Sequence, residues 1–277
     1  MRIDGTPVAQ VHPIRRIMPF IMPVRNGAFV LFEQDIPTAP LRALLERVNA
    51  ARPADRRVTY FHCVLYAIGA AFTDFPRLNR FVVGSRLYDR RGIWLAFSAK
   101  QQMHRDAPLF TAKIEFRRDE PLPAMVDRLL GVLGEGRSGR ETAAEREVKG
   151  FLRLPGPLLR LAVRAQRVLD GWNLLPPALT RDDPLYASAF IANLGSVGLD
   201  AAYHHLYDYG TIPIFITMGR VHRTPVVHDD GSVASDEVFT LRYTYDERVE
   251  DGFYAARALE RLAGWLARPD DLSAAAG

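Results

Sequence analysis

The stretch Tyr60 to Phe72, YFHCVLYAIGAAF, is apolar almost all the way round a helix. Such a helix reads as buried rather than surface-lying, and it stops at the punctuating DFPRLN. Cys63, inside this run, is the chain's one cysteine, so neither an intrachain disulfide nor a multi-cysteine metal site is available. It reads as a small core residue rather than a nucleophile, because thiol reactivity needs exposure and an electropositive setting. His62 in the same run reads as a core histidine whose ring finds a hydrogen-bond partner.

Strands and helices surround this segment in mixed order. Gly27 to Ile36 reads as a strand, and TAPLRALLERVNAAR as a helix with Leu41, Leu44, Leu45 and Val48 at helical spacing and Thr38 as N-cap. RFVVGSRLYDRRGIWLAFSAK predicts a hairpin of two strands turned at Asp89 to Gly92. TAKIEFRR places Ala112, Ile114 and Phe116 on one strand face. PLPAMVDRLLGVLGEG predicts a short amphipathic helix, followed by a polar connection from Gly134 to Arg146. SAFIANLG, TIPIFITMGR and VFTLRYTYDE are strand-like, and FYAARALERLAGWLARP closes the chain as a helix stopped by Pro269. The order lacks a regular βαβ alternation, so an α+β layered fold is expected, as one domain with loose ends before about Gln10 and after Asp271.

Leu158 to Asp170, LLRLAVRAQRVLD, stands apart. Arg160, Arg164 and Arg167 share one helical face, with Leu161, Val168 and Leu169 on others. The plainer reading is a core-packed helix with a solvated basic face; the sharper one is a helix that lies on a membrane or docks a partner. The formal charge is +4, with Lys100, Lys113 and Lys149 the only lysines among 36 basic residues. That charge is spread along the chain without an aromatic-interleaved stripe, which argues against a nucleic-acid partner. No apolar run approaches the ~20 residues that span a bilayer, and the N-terminus MRIDGTPVAQVHPIRR lacks a secretory signal. A cytoplasmic protein is expected.

Three segments in order resemble the catalytic domain of dihydrolipoamide acyltransferases, the acyltransferases of 2-oxoacid dehydrogenase complexes. VTYFHCVLYAIGAAFTDFPRLNRFVVGSRLYDRRGIWLAFSAK is similar to the family's buried helix, its FPxLN turn (Phe75, Pro76, Leu78, Asn79) and the hairpin after it. SAFIANLGSVGL is similar to the TFTISNLGxxG strand, and YTYDERVEDGFYAARALERLAGWLARPDDL to DHRVVDGxxAAxFL and its closing helix. With Arg15 and Arg16 near the N-terminus, the resemblance covers about residues 12 to 272. It implies the chloramphenicol-acetyltransferase-like fold, a two-layer sandwich of mixed sheet and helices forming a homotrimer. The active-site channel would lie between neighbouring subunits, entered by coenzyme A on one side and the acyl acceptor on the other. No lipoyl or peripheral subunit-binding domain is expected.

In the family's HxxxDG motif the histidine takes the proton of the attacking thiol or hydroxyl, a strand-motif hydroxyl steadies the oxyanion, and the aspartate pairs with an N-terminal arginine. Here the motif reads Glu247, Arg248, Val249, Glu250, Asp251, Gly252, and the strand-motif serine is Ala192, followed by Asn193. The resemblance thus implies Asp251 and Gly252 as structural motif residues and Arg15 or Arg16 as partner of Asp251. Glu247 stands where the base would be. A carboxyl near ~4.3 lies about four units below a thiol near ~8.5, roughly 6 kcal/mol for full transfer, against about two units for imidazole.

His204 and His205, in YHHLYDYG after the NLGSVG turn, are candidate replacement bases with Asp208 as orienting partner; the alternative is a polar loop or subunit contact. A metal there is disfavoured because adjacent histidines in a strand point to opposite faces. Asp246 reads as a residue that caps or pairs locally and Arg248 as a structural ion-pair partner, while His12, His104, His222 and His228 sit in polar or turn-like contexts without a functional signal. Two functions follow. One is an acyltransferase with a coenzyme A thioester donor and a small-molecule or carrier-bound acceptor, served by Glu247, His204 or His205, and Asn193. The other is a trimeric binding or scaffold protein that keeps the fold without the chemistry.

Overall fold

The computed structural model describes residues 2–100, 109–137, 149, 150, 152–227 and 230–270. His104 and His228 lie outside the described residues, as does most of the connection expected from Gly134 to Arg146. The strands are β1 (Gly5–Pro7), β2 (Phe29–Pro37), β3 (Phe81–Val83), β4 (Arg86–Arg90), β5 (Ile93–Lys100), β6 (Leu109–Phe116), β7 (Ala189–Asn193), β8 (Ile214–Val227) and β9 (Val233–Asp246). The helices are α1 (Pro13–Ile21), α2 (Ala39–Asn49), α3 (Tyr60–Asp74), α4 (Leu122–Arg137), α5 (Gly156–Gly171), the short α6 (Ala178–Arg181) and α7 (Gly252–Ala267).

A six-stranded sheet runs β2-β9-β8-β7-β5-β6, and β1-β4-β3 form a separate three-stranded sheet. β7 is parallel to β5 and β8 while the remaining pairs are antiparallel, so the main sheet is mixed. The parallel centre is buried on both sides, and Ile214 to Met218 are accordingly all buried, apolar except for Thr217. Helix α3, with α2, α4 and α7, covers one face through Leu65, Ile68, Leu259 and Trp265. Phe190, Phe215, Leu206 and Ile212 form a smaller cluster on the other face. The fold is the α+β sandwich that the sequence pattern implied.

The buried helix owes its close seating to one glycine. A Cβ on Gly69 would stand 2.2 Å from Cγ of Phe116, and that ring makes an edge contact with Tyr66 at 5.2 Å between centroids. Gly69→Ala is therefore expected to destabilise by about 1–3 kcal/mol through overpacking, outweighing a helix-propensity gain of about 1 kcal/mol. Urea denaturation checks it, and a variant as stable as the parent would show that Phe116 yields.

His62 is buried on α3, and its Nδ1 accepts the Thr59 N–H at 3.1 Å. Burial, with Arg52 nearby adding repulsion, pushes its pKa down to about 4. In the unfolded chain the ring titrates near ~6.5, so between those values the unfolded state binds more protons. Its contribution is complete above about pH 6.5 and is lost as pH falls, about 3 kcal/mol by pH 4. Urea unfolding of wild type and His62→Gln at neutral pH and near pH 4.5 measures this; equal acid slopes in the two would refute it. Cys63 is fully buried and its thiol is pushed up to about 12 by burial, which makes it inert.

Two local expectations are corrected. The hairpin turns at Gly84 and Ser85, both at positive φ (56° and 58°), and joins β3 to β4. Two such residues in succession suit the tight two-residue turn that matches strand twist. At Asp89 to Gly92 the chain instead crosses between sheets. The crossing is pinned by Arg90, which donates to Thr211 O at 2.8 Å, and by Asn79, which donates to Gly92 O at 2.8 Å. Thr38 does precede α2, but its hydroxyl donates to Glu237 O at 3.1 Å and accepts only from the Arg42 side chain, not from a helix backbone N–H. It ties the helix start to β9.

Candidate functional site

Strand β9 ends in a tight turn that delivers Glu247 to the surface between β9 and α7. Its backbone is held on both sides: its N–H donates to Ala28 O at 2.9 Å, and its carbonyl accepts from Arg15 Nη1 at 2.9 Å. Glu247 is half-buried as a residue, and its carboxylate makes no hydrogen bond or ion pair with a described residue. Val249 anchors the turn from below, 1% exposed.

Asp251 and Gly252 open α7. Asp251 Oδ1 accepts the Tyr254 N–H at 2.9 Å as the helix N-cap. The expected partner of Arg15 is thereby corrected: Glu250, one residue earlier, is the buried carboxylate. Glu250 Oε2 lies 3.2 Å from Arg80 and 3.3 Å from Arg77, with Arg15 at 3.9 Å from Oε1. Arg16 is exposed. The reason is geometric. Asp251 faces the helix's free amides, whereas Glu250 has the reach to meet three arginines brought in by α1 and the turn after α3.

Beneath Glu247 lies a cluster that motif reading only glimpsed. Asp246 accepts from Arg248 Nε and Nη2, each at 2.8 Å, and Arg25 Nε stands 3.7 Å away. Asp246 is 1% exposed, Arg248 4% and Arg25 7%. Arg25 also donates to the carbonyls of Tyr207 and Gly210, and burial lowers its pKa. The local pairing expected of Asp246 and Arg248 is present; Arg25 was missed, since nothing in PVRNG marks it. A cleft of about 290 Å³ opens beside the cluster, lined by Arg25, Gln166, Asp170, Tyr186, Tyr209 and Arg248.

Asn193 ends β7, where its Oδ1 accepts the Ser196 N–H at 3.1 Å, leaving the amide NH₂ as the available donor. It pairs in register with Met218 inside β8, whereas Asp246 meets Pro213 just before the start of that strand. Five residues of strand separate them, ~17 Å at about 3.3 Å per residue. One subunit therefore does not bring Asn193 to Glu247.

His204 stacks on Phe215, centroids 3.9 Å apart, and its Nδ1 lies 2.6 Å from His205 O. Burial lowers its pKa, which favours the neutral ring. His205 is exposed and stacks against His204 at 4.4 Å. Asp208 does not orient either ring; it takes a 3.4 Å hydrogen bond from Asn26. Among the described residues no group of three metal-ligating side chains occurs.

A mixed sheet with helices on one face, a strand ending in an asparagine turn, and a titratable residue offered between the last strand and last helix define a chloramphenicol-acetyltransferase-like α+β protein. Residues 178–274 match the catalytic domain of the 2-oxoacid dehydrogenases acyltransferase family. A dihydrolipoamide acetyltransferase of Azotobacter vinelandii shares the fold at 17% identity, TM-score 0.63, over 96% of this chain and 98% of that one. A probable dihydrolipoamide acetyltransferase from Listeria monocytogenes does so at 14% identity, TM-score 0.62, over 97% and 96%. A chloramphenicol acetyltransferase is similar at 11% identity, TM-score 0.54, over 95% and 99%. No curated protein sequence matches the chain. The chain thus resembles the acyltransferase catalytic domain by sequence in its C-terminal third and by fold over nearly its whole length.

Proposed function

We propose that the protein is an acyltransferase that moves an acyl group from a coenzyme A thioester to a thiol or hydroxyl acceptor, at a site completed between subunits of a homotrimer. The observation that carries this reading is Glu247, half-buried in the turn between β9 and α7 inside the matched segment, at the position that the resemblance aligns with the histidine of the HxxxDG motif. Glu247 takes the acceptor proton. The Asn193 amide of a neighbouring subunit, with backbone N–H groups, holds the oxyanion. His204 supplies a second base through its Nε2, since its Nδ1 is engaged, and His205 stands beside it.

Assembly between subunits is supported by the distance that separates Asn193 from Glu247 within one chain. It is also supported by exposed apolar side chains on α1 (Ile14, Ile17, Phe20, Ile21) and β2 (Phe29, Leu31), which need cover. For the donor's phosphates, the groove beside the Asn193 end holds His222 with Arg220, Arg223 and Arg242 around a volume of about 430 Å³; the arginines pair with Asp200, Glu237 and Glu33 and would exchange these carboxylates for phosphate.

Release of free thiol from acetyl-CoA and longer acyl-CoA, followed with thiol and hydroxyl acceptors, tests the reading. Acceptor-dependent release is expected; its absence across the panel would overturn it. The second reading, a trimeric scaffold without chemistry, is favoured by Ala192, which carries no hydroxyl at the oxyanion position. Calorimetric titration with coenzyme A separates the two, since the donor channel predicts micromolar binding and a scaffold predicts none.

A further inference from the structure

Helix α5 precedes the matched segment, which begins at Ala178 on α6. Successive helical residues turn by about 100°, which sorts its side chains into three stripes. Leu159, Gln166 and Asp170 face the body of the protein. Arg160, Arg164 and Arg167 form a second row. Leu158, Leu161, Val168 and Leu169, with Trp172 just past the helix end, form a third, about 100° wide and turned away from the body. All five of these apolar side chains are exposed, Leu161 at 62% and Trp172 at 74%. Leu152, Leu154 and Leu174 continue the exposed apolar surface at either end. The core-packed helix expected from the sequence is thus corrected: its apolar stripe meets solvent.

That orientation is locked from beneath. Asp170 accepts from Arg2 Nη1 at 2.6 Å and from the Tyr186 hydroxyl at 3.3 Å, and Gln166 donates to the Tyr209 hydroxyl at 2.7 Å. The backbone of Gly171 sits so close to Gly84, at φ 56°, that a Cβ there would meet Gly171 O at 2.3 Å. The helix cannot roll its apolar stripe inward without breaking a buried ion pair.

We propose that α5 is an interfacial helix by which this protein lies on an anionic lipid bilayer surface, an interaction independent of the acyl-transfer reading. Its chemistry selects this occupant. An apolar stripe bordered by arginines, with an indole at one end, suits the boundary between acyl chains and negatively charged headgroups. The helix's only acid, Asp170, is turned inward, and no described carboxylate pairs with Arg160, Arg164 or Arg167. A second copy docked on the same stripe would bring two unneutralised arginine rows together. Nor does any described helix have the length and apolarity to cross a membrane, so the contact is peripheral.

Sedimentation of the full-length protein with vesicles of phosphatidylcholine, with and without phosphatidylglycerol, tests this. Binding to the anionic vesicles that weakens with salt is expected, and it should fall by about tenfold or more in Leu161→Glu/Val168→Glu. Both positions are exposed, so the variant should keep its melting temperature. The proposal is overturned if wild type ignores anionic vesicles or if the double variant binds as well as wild type. A change in assembly mass of the double variant by light scattering would also overturn it, by making the stripe a subunit interface.

Discussion

Replacing Glu247 with glutamine is expected to lower acyl-CoA turnover by about 10²–10⁴-fold, the usual contribution of a positioned general base. The amide fills the same volume and leaves the backbone bonds to Ala28 and Arg15 in place, so the melting temperature should hardly move. Loss of rate without loss of fold is the signature of chemistry rather than support. Glu247→His is the complementary change. An imidazole lies about two units closer to a thiol than a carboxyl does, and with half of that difference felt in the transition state, turnover with a thiol acceptor should rise about tenfold. If Glu247→Gln turns over as fast as wild type, the base is elsewhere, and His204→Gln becomes the decisive variant.

The largest stability effect is expected beneath the same turn. Asp246→Asn should cost about 3–5 kcal/mol, because removing one member of a buried ion cluster strands the others. Asp246 serves both Arg248, through two 2.8 Å hydrogen bonds, and Arg25 at 3.7 Å. An amide leaves two buried guanidinium groups without a countercharge, and their remaining partners are the carbonyls of Met22, Pro23, Tyr207, Tyr209 and Gly210. These carbonyls belong to the segment before β2 and the segment before β8, so loss of the carboxylate also loosens the support of Glu247. Urea denaturation gives the stability term. A loss under about 1 kcal/mol would mean that water reaches the cluster and solvates the arginines.

The readings that succeeded share one property: their information is local. β7, β9 and α7 were legible because apolar strand runs and helical spacing are written in consecutive residues. Glu247 was singled out differently, by the resemblance to the HxxxDG motif, and its role stays a proposal. The readings that failed depended on who meets whom. Asp251 was expected opposite Arg15, yet capping consumes it, and Glu250 takes three arginines from distant parts of the chain. Asp208 was expected beside His204, yet Asn26 holds it. Arg25 had no local mark at all, since its role comes only from the carbonyls and the carboxylate that the topology gathers round it.

Helix α5 shows where the division falls. Its sequence alone determined that it would be amphipathic, with arginines on one row and apolar residues on another, because a period of about 3.6 residues assigns side chains to faces. The sequence likewise determined the buried α3 and the mixed order of strands and helices. Which row of α5 would face the protein was decided only by the tertiary structure. Periodicity fixes faces relative to one another, whereas their direction in space comes from contacts far along the chain. Here those contacts are Arg2 with Asp170, and Gly84 against Gly171. They turn the apolar stripe outward.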